Sequence, residues 1–142
     1  MREILFRGKR IDNGEWVEGF YFCMVHDDGR HVHHFIMPLG ADLNLGTPIE
    51  KIQVEIDVKT ICQFTGLLDK NGNKIWENDI IRHYNKSWEP NVYTEGIIKW
   101  NAFKCRFENQ STKNPCYTYA INAMYNYEVF GNIFDNADLV KE

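Results

Sequence analysis

Along most of the chain, apolar residues return at every second position, and no stretch of respectable length carries a helical period. The cleanest alternation is 103–108, where Phe103, Cys105 and Phe107 point one way and Lys104, Arg106 and Glu108 the other. That pattern predicts a half-buried antiparallel strand. The organising stretch is Thr60 to Arg82, TICQFTGLLDKNGNKIWENDIIR, two apolar runs separated by Asp69, Lys70, Asn71 and Gly72. It predicts a strand, a tight hairpin and a second strand, with Gly72 at the left-handed corner because glycine has no Cβ to clash there. Asp79, with Glu77, falls where a corner needs polar side chains to hold backbone N–H groups.

Ahead of this stretch, 3–9 alternates weakly into Asn13-Gly14, a hairpin signal, and 15–22 follows with the aromatic run Phe20-Tyr21-Phe22. Asp27-Asp28-Gly29 makes the next turn, and 31–37 a third strand closed by Pro38. The first 38 residues therefore read as a three-stranded antiparallel meander. The pattern dissolves over 39–48 into an exposed loop or linker, and 50–57 resumes as an extended segment feeding the central hairpin. Beyond the hairpin the expected strands are 80–84, 93–100, 103–108 and 128–134. The stretch 117–127 suits either a strand or a turn of helix. Asn136 is placed to cap a short carboxy-terminal helix over 137–140, with Asp138 in its first turn.

The fold class is mainly β. An amino-terminal meander and linker (1–49) precedes a barrel-like part (50–142) of small SH3-like type with a short terminal helix, closure being one way to remove exposed strand edges. The same residues admit one intertwined domain over 1–142.

Composition supports this picture: 44% hydrophobic and 14% aromatic residues in 142 are enough for a packed core, and aromatics suit pleated, half-buried faces. The net charge of −4 argues against a protein that lives by non-specific phosphate contact. The amino terminus MREILFRGKRID lacks a long apolar run, so neither a secretory signal nor a membrane span is expected. A cytoplasmic setting follows, in which Cys23, Cys62, Cys105 and Cys116, none in a CxxC pair, are expected to be reduced.

Each candidate chemistry has a plainer reading beside it. His31 and His33 share a strand face and His26 lies across the turn, which suits a metal, but no carboxylate or cysteine stands at a fixed spacing to complete the set. The reading kept is a polar hairpin side, with no metal and no cofactor assigned. Cys23 near His26 is the one thiol–imidazole pair to consider. Cys62 and Cys105 read as small buried hydrophobes. P-loop, GxGxxG, GxSxG and HExxH signatures are all absent, so no catalytic residue is assigned and a non-enzyme is expected. Trp76, Trp88, Trp100 and the tyrosines 117, 119, 125 and 127, beside Lys99, Lys104, Arg106 and Lys113, offer a surface for single-stranded nucleic acid. Core or subunit interface is the favoured reading of those rings.

Three motifs, FRGK…NGEWVEG, QFTGLLDKNGNKIWENDII and EVFGNIFDNADLV, cover nearly the whole chain. In them the chain resembles the YopX family, small proteins of bacteriophages and prophages. Asn78 stands where that family usually has glycine, and asparagine is the next best residue for a left-handed corner. Ala137 stands where it often has proline. The resemblance implies a phage or prophage origin, a mostly β fold with a barrel-like carboxy-terminal part, and a homo-oligomer; it brings no catalytic residue. Taken together, these readings predict an oligomeric, non-enzymatic protein-interaction module. Its partner would be a host or phage protein, and a neighbouring subunit would cover the aromatics and free edges of the meander. A nucleic-acid-binding small barrel is the alternative, and a metal- or thiol-dependent enzyme the remote one.

Overall fold

The computed structural model describes residues 2–85, 87 and 89–140. The chain is mainly β, and it divides into two compact units, residues 1–63 and 64–142.

The first unit holds β1 (Phe6–Arg10), β2 (Trp16–Val25), β3 (Val32–Pro38), one helical turn α1 (Ile49–Ile52) and most of β4 (Val54–Leu68). The predicted three-stranded meander is present. The Asn13-Gly14 hairpin is wider than a two-residue turn: Arg10 N–H donates to Glu15 O and Gly14 N–H to Arg10 O, with Gly14 at φ +74°. The expected extended segment 50–57 is part helix, because 49–52 turns once before the strand begins at Val54.

β4 pairs with β3 (Phe35↔Glu55, Ile36↔Val54) and also with β1 (Arg10↔Ile56, Lys9↔Asp57). With β1–β2 and β2–β3 already paired, the four strands form a ring of antiparallel ladders. A bulge lets β4 follow β1 round the ring. There Thr60 Oγ1 accepts the Lys9 N–H and donates to Asp57 O, and pairing resumes at Arg7↔Cys62. Gly19 is required where β2 meets β3, since a Cβ there would lie 2.0 Å from the Met37 carbonyl oxygen. Leu5, Ile36, Val54, Ile56 and Cys62 are the buried apolar side chains of this unit.

In the second unit the end of β4 pairs with β5 (Lys74–Trp76) as the expected hairpin. Gly72 is at φ +84° and Asn78, before β6 (Asp79–Tyr84), at φ +69°, both in the left-handed region where they were expected. Asp69 holds the turn: its carboxylate accepts the N–H groups of Asn71 (2.9 Å), Asn73 (2.8 Å) and, far along the chain, Val129 (3.0 Å). Asp79 likewise accepts the Trp76 N–H at 2.8 Å and is buried, a structural role.

The remaining strands, β7 (Tyr93–Asn101), β8 (Arg106–Ser111), β9 (Thr118–Ala120) and β10 (Asn126–Asn132), join β6 in the order β10-β6-β7-β8-β9. Among the described residues this sheet has two ends. A closed ring of ladders lies in the first unit, and in the carboxy-terminal part the described ladders form one five-stranded antiparallel sheet. Ile75, Ile81, Ile98 and Tyr127 form the buried core, with Leu67, Phe107 and Val129 packed on it.

The alternation at 103–108 misleads at its start. Residues 102–105 are the β7–β8 turn, Phe103 is fully exposed, and Cys105 is exposed at φ +50°. Asn101 pairs with Arg106, so the strand starts three residues late, and Asn101 Oδ1 takes the Lys104 N–H inside the turn. At the end of the chain, Ala137–Val140 is a 3-10 turn. Asn136 precedes it as expected, but its side chain reaches back to the Asn132 N–H, while Asn132 Oδ1 accepts from Phe134 and Asp135.

Candidate functional site

β2 and β3 run on beyond the rest of their sheet. β1 pairs with β2 only from Trp16 to Gly19, and β4 with β3 only at Phe35 and Ile36. Among the described residues, Phe20–Val25 therefore pairs with β3 alone, and beyond the Phe35 and Ile36 rungs Cys23–Val25 and Val32–His34 form a two-stranded ribbon capped by the Asp27–Arg30 turn. Opposite residues of an antiparallel pair share a face. The register Phe20↔Met37, Phe22↔Phe35 and Met24↔His33, extended by the His26 N–H to His31 O bond, puts six apolar and aromatic side chains in a row that ends in imidazoles.

The rings confirm that register. Phe22 stacks on Phe35 at 5.4 Å, Phe35 on His33 at 6.3 Å, and His26 lies 4.8 Å from His33 and 6.0 Å from His31. A hollow of about 310 Å³ lined by Met24, Val25, His26, His33 and Phe35 opens beside them.

Two carboxylates orient the imidazoles. His31 Nδ1 meets Asp28 Oδ2 at 2.5 Å, and His33 Nδ1 meets Glu55 Oε2 at 2.7 Å. An ionised carboxylate only accepts, so both Nδ1 atoms carry the proton and donate it. Backbone N–H groups of Arg30 and His31, together with the His31 ring, hold the Asp28 carboxyl below its ordinary range.

His26, His31 and His33 are thus brought together, whereas Cys23 and His26 are not. Cys23 lies on the opposite ribbon face, paired in register with His34, whose Nδ1 is 2.6 Å from the Tyr21 hydroxyl. Among the described residues, no group of three or more His, Cys, Asp or Glu side chains already stands where it could hold a metal ion.

The other candidate surface divides. Trp76 is buried against Phe64, and Tyr119 and Tyr127 are core residues around buried His83, whose pKa burial pushes down. Trp88 lies outside the described residues. At the β7–β8 turn, half-exposed Trp100 sits over Phe107 beside exposed Phe103 and Lys104. The nearby cations are engaged: Arg106 pairs with Glu108 at 3.0 Å, and Lys99 donates to Asn78 Oδ1 at 3.4 Å. Tyr117, Tyr125 and Lys113 are exposed elsewhere on this unit. No cysteine is in a disulfide; Cys62 alone is buried, and Cys105 is exposed rather than a core residue.

The sequence reading missed Glu55, Asp28 and Met24 as members of the imidazole cluster. Extending the His31/His33 alternation across the turn would have found Met24. Nothing local points to Glu55, which lies 22 residues from His33.

Among the described residues no helix is long and apolar enough to cross a membrane. No curated protein matches the chain significantly. Of the solved structures, the crystal structure of protein EF1440 from Enterococcus faecalis is similar over 99% of this chain and 100% of that one, with 21% identity and a TM-score of 0.51. At that identity the likeness speaks for the fold. The family model described as YopX protein matches residues 5–141, nearly the full length. The chain belongs to the YopX family.

Proposed function

We propose that this chain is a non-enzymatic binding protein of phage or prophage origin. It works in the host cytoplasm as a homo-oligomer and engages a host or phage protein. The observation that supports this is the outer ribbon of β2 and β3. Phe20, Met24 and Val25 are 50%, 48% and 59% exposed on a segment that carries no charge, no proline and no glycine from 20 to 25. An isolated two-stranded ribbon is marginal in water, and an uncharged strand edge is a ready template for another chain. A second copy fits it: the segment is neutral, so two copies meet without repulsion, and a two-fold axis pairs like with like.

The test is solution mass by light scattering for the native chain and for Phe20→Glu, in buffer containing a chelator. A native multimer that falls to monomer in Phe20→Glu, with the circular dichroism spectrum unchanged, is the expected result. A native monomer sinks the proposal.

One observation favours a second reading, a nucleic-acid-binding module. Phe103 is fully exposed beside Trp100, Lys104 and Arg106, a small basic and aromatic tip. The net charge of −4 weighs against it. Absorbance of the purified protein at 260 and 280 nm separates the two readings, since co-purified nucleic acid lost in Phe103→Ala would reverse the order.

A further inference from the structure

We propose that the outer end of the β2–β3 ribbon binds a late first-row transition-metal ion such as Zn²⁺, through the Nε2 atoms of His26, His31 and His33. Three observations carry this. The three imidazoles lie on one ribbon face, with ring centroids 4.8 Å and 6.0 Å from His26. Two imidazoles on one tetrahedral ion, with metal–nitrogen bonds of about 2 Å, place their centroids roughly 5 Å apart, so the His26–His33 spacing already suits a shared ion. His31 and His33 each give Nδ1–H to a carboxylate, Asp28 and Glu55 respectively. That leaves Nε2 as the lone-pair atom and fixes the ring, the arrangement in which a carboxylate orients and strengthens a metal-binding histidine.

The local charge also favours a cation. Asp28 and Glu55 contact the cluster, and the turn beside it carries Asp27 and Arg30, one charge of each sign. The cluster is not preformed around a point, so the ion gathers it. His26 is exposed and swings about its side-chain torsions without disturbing packing, while exposed His31 is turned by its Asp28 contact. His33 is the half-buried anchor. Met24, opposite His33 in register, puts a thioether on the same face, which adds a soft donor for copper(I) but little for zinc. Water completes the zinc coordination.

This site is independent of the assembly proposed above, since one chain supplies all its ligands. The experiment uses the full chain without a histidine tag, stripped by chelator and dialysed. It is titrated with Zn²⁺ against a chromophoric indicator, and separately with Co²⁺ while the visible spectrum is recorded. The expected result is one ion per chain at micromolar affinity or better, with Co²⁺ giving visible bands of a low-coordinate nitrogen site.

His26→Gln and His33→Gln should each weaken zinc by at least about 10-fold. Glu55→Gln, which leaves every ligand in place, should weaken it by about 10-fold as the orienting contact is lost. Unchanged metal-free melting curves show that the exposed-site variants still fold. Zinc affinity no better than millimolar overturns the proposal, as does full retention of binding in the His26→Gln/His33→Gln double variant, which would move the ion to the exposed cysteines. Neither result bears on the chelator-treated oligomer mass, so the two proposals fail separately.

Discussion

Asp69 gives the sharpest test of how the second unit is held together. Its buried carboxylate accepts three backbone N–H groups, from Asn71, Asn73 and Val129, and so ties the β4–β5 turn to β10. Lys70 N–H to Tyr127 O completes that seam. Hydrogen bonds to a charged acceptor contribute about 1.5–3 kcal/mol each, but the turn donors of Asn71 and Asn73 are exposed and regain water when the acceptor is removed. Asp69→Ala should therefore cost about 3–4 kcal/mol, most of it from the seam, and lower Tm by roughly 10 °C in a chain of this size. Asp69→Asn keeps Oδ1 for Asn71 and Asn73 but turns an amide toward the Val129 N–H, so about half of that loss is expected.

The same residue predicts a pH dependence. Burial pushes the carboxyl up, but the donors from Val129, Asn73 and Asn71 outweigh it, and the net effect lowers the carboxyl below 3.8. A group depressed in the folded state contributes stability that is fully present above its unfolded value and is lost as pH falls through its folded value. The gap between the native chain and Asp69→Asn should accordingly be full at pH 7 and shrink as pH falls below 3.8. Urea unfolding followed by tryptophan fluorescence at pH 7 and in acid measures this. An alanine variant as stable as the native chain, or a native–Asn gap that persists unchanged in acid, would refute the reasoning.

Gly19→Ala places a Cβ 2.0 Å from a backbone oxygen of Met37, which cannot move aside as a side chain can, so the variant should lose more than about 3 kcal/mol or fail to fold by circular dichroism. Gly72→Val, at φ +84° with open space around it, should lose only the strain of a β-branched residue in the left-handed region, about 1–2 kcal/mol in the same urea assay. Equal losses at the two glycines would remove the distinction between collision and strain. A thiol reagent should label Cys23, Cys105 and Cys116 in the folded protein and reach Cys62 only on unfolding; a fast fourth thiol would contradict its burial.

The period-two pattern and the turn residues made much of the fold legible, because both act within a few residues. Asn13-Gly14, Asp69 to Gly72 and Asn78 all form turns where they were read. The errors occur where a turn borrows residues with strand-like alternation. Phe103 and Cys105 fit the strand pattern, yet Asn101 has the side chain to close a turn and Cys105 takes the left-handed position. The ring closure of the first unit was not legible for a related reason. Whether β4 bends back to β1 depends on the Thr60 bulge, and a bulge leaves alternation on either side intact, so the pattern is blind to it.

The imidazole cluster shows the same division between local and distant information. His31 and His33 share a face by alternation alone, and the Asp28 contact sits within one turn of them. What gives the cluster a fixed donor direction at His33 is Glu55, and Glu55 arrives only because Phe35↔Glu55 is one of the two rungs joining β3 to β4. Those rungs lie where the ring of ladders ends and the free ribbon begins. The ring fixes the base of the ribbon, the carboxylate it carries fixes His33, Asp28 turns His31 from within the loop, and exposed His26 is left free to rotate. A metal site built this way has two carboxylate-oriented ligands and one adaptable one, so replacing Glu55 should loosen His33 without touching the apolar row from Phe20 to Phe35. If Glu55→Gln altered the oligomer mass but not zinc affinity, the carboxylate would belong to the subunit contact, and the histidines would be the polar hairpin side that the sequence alone suggested.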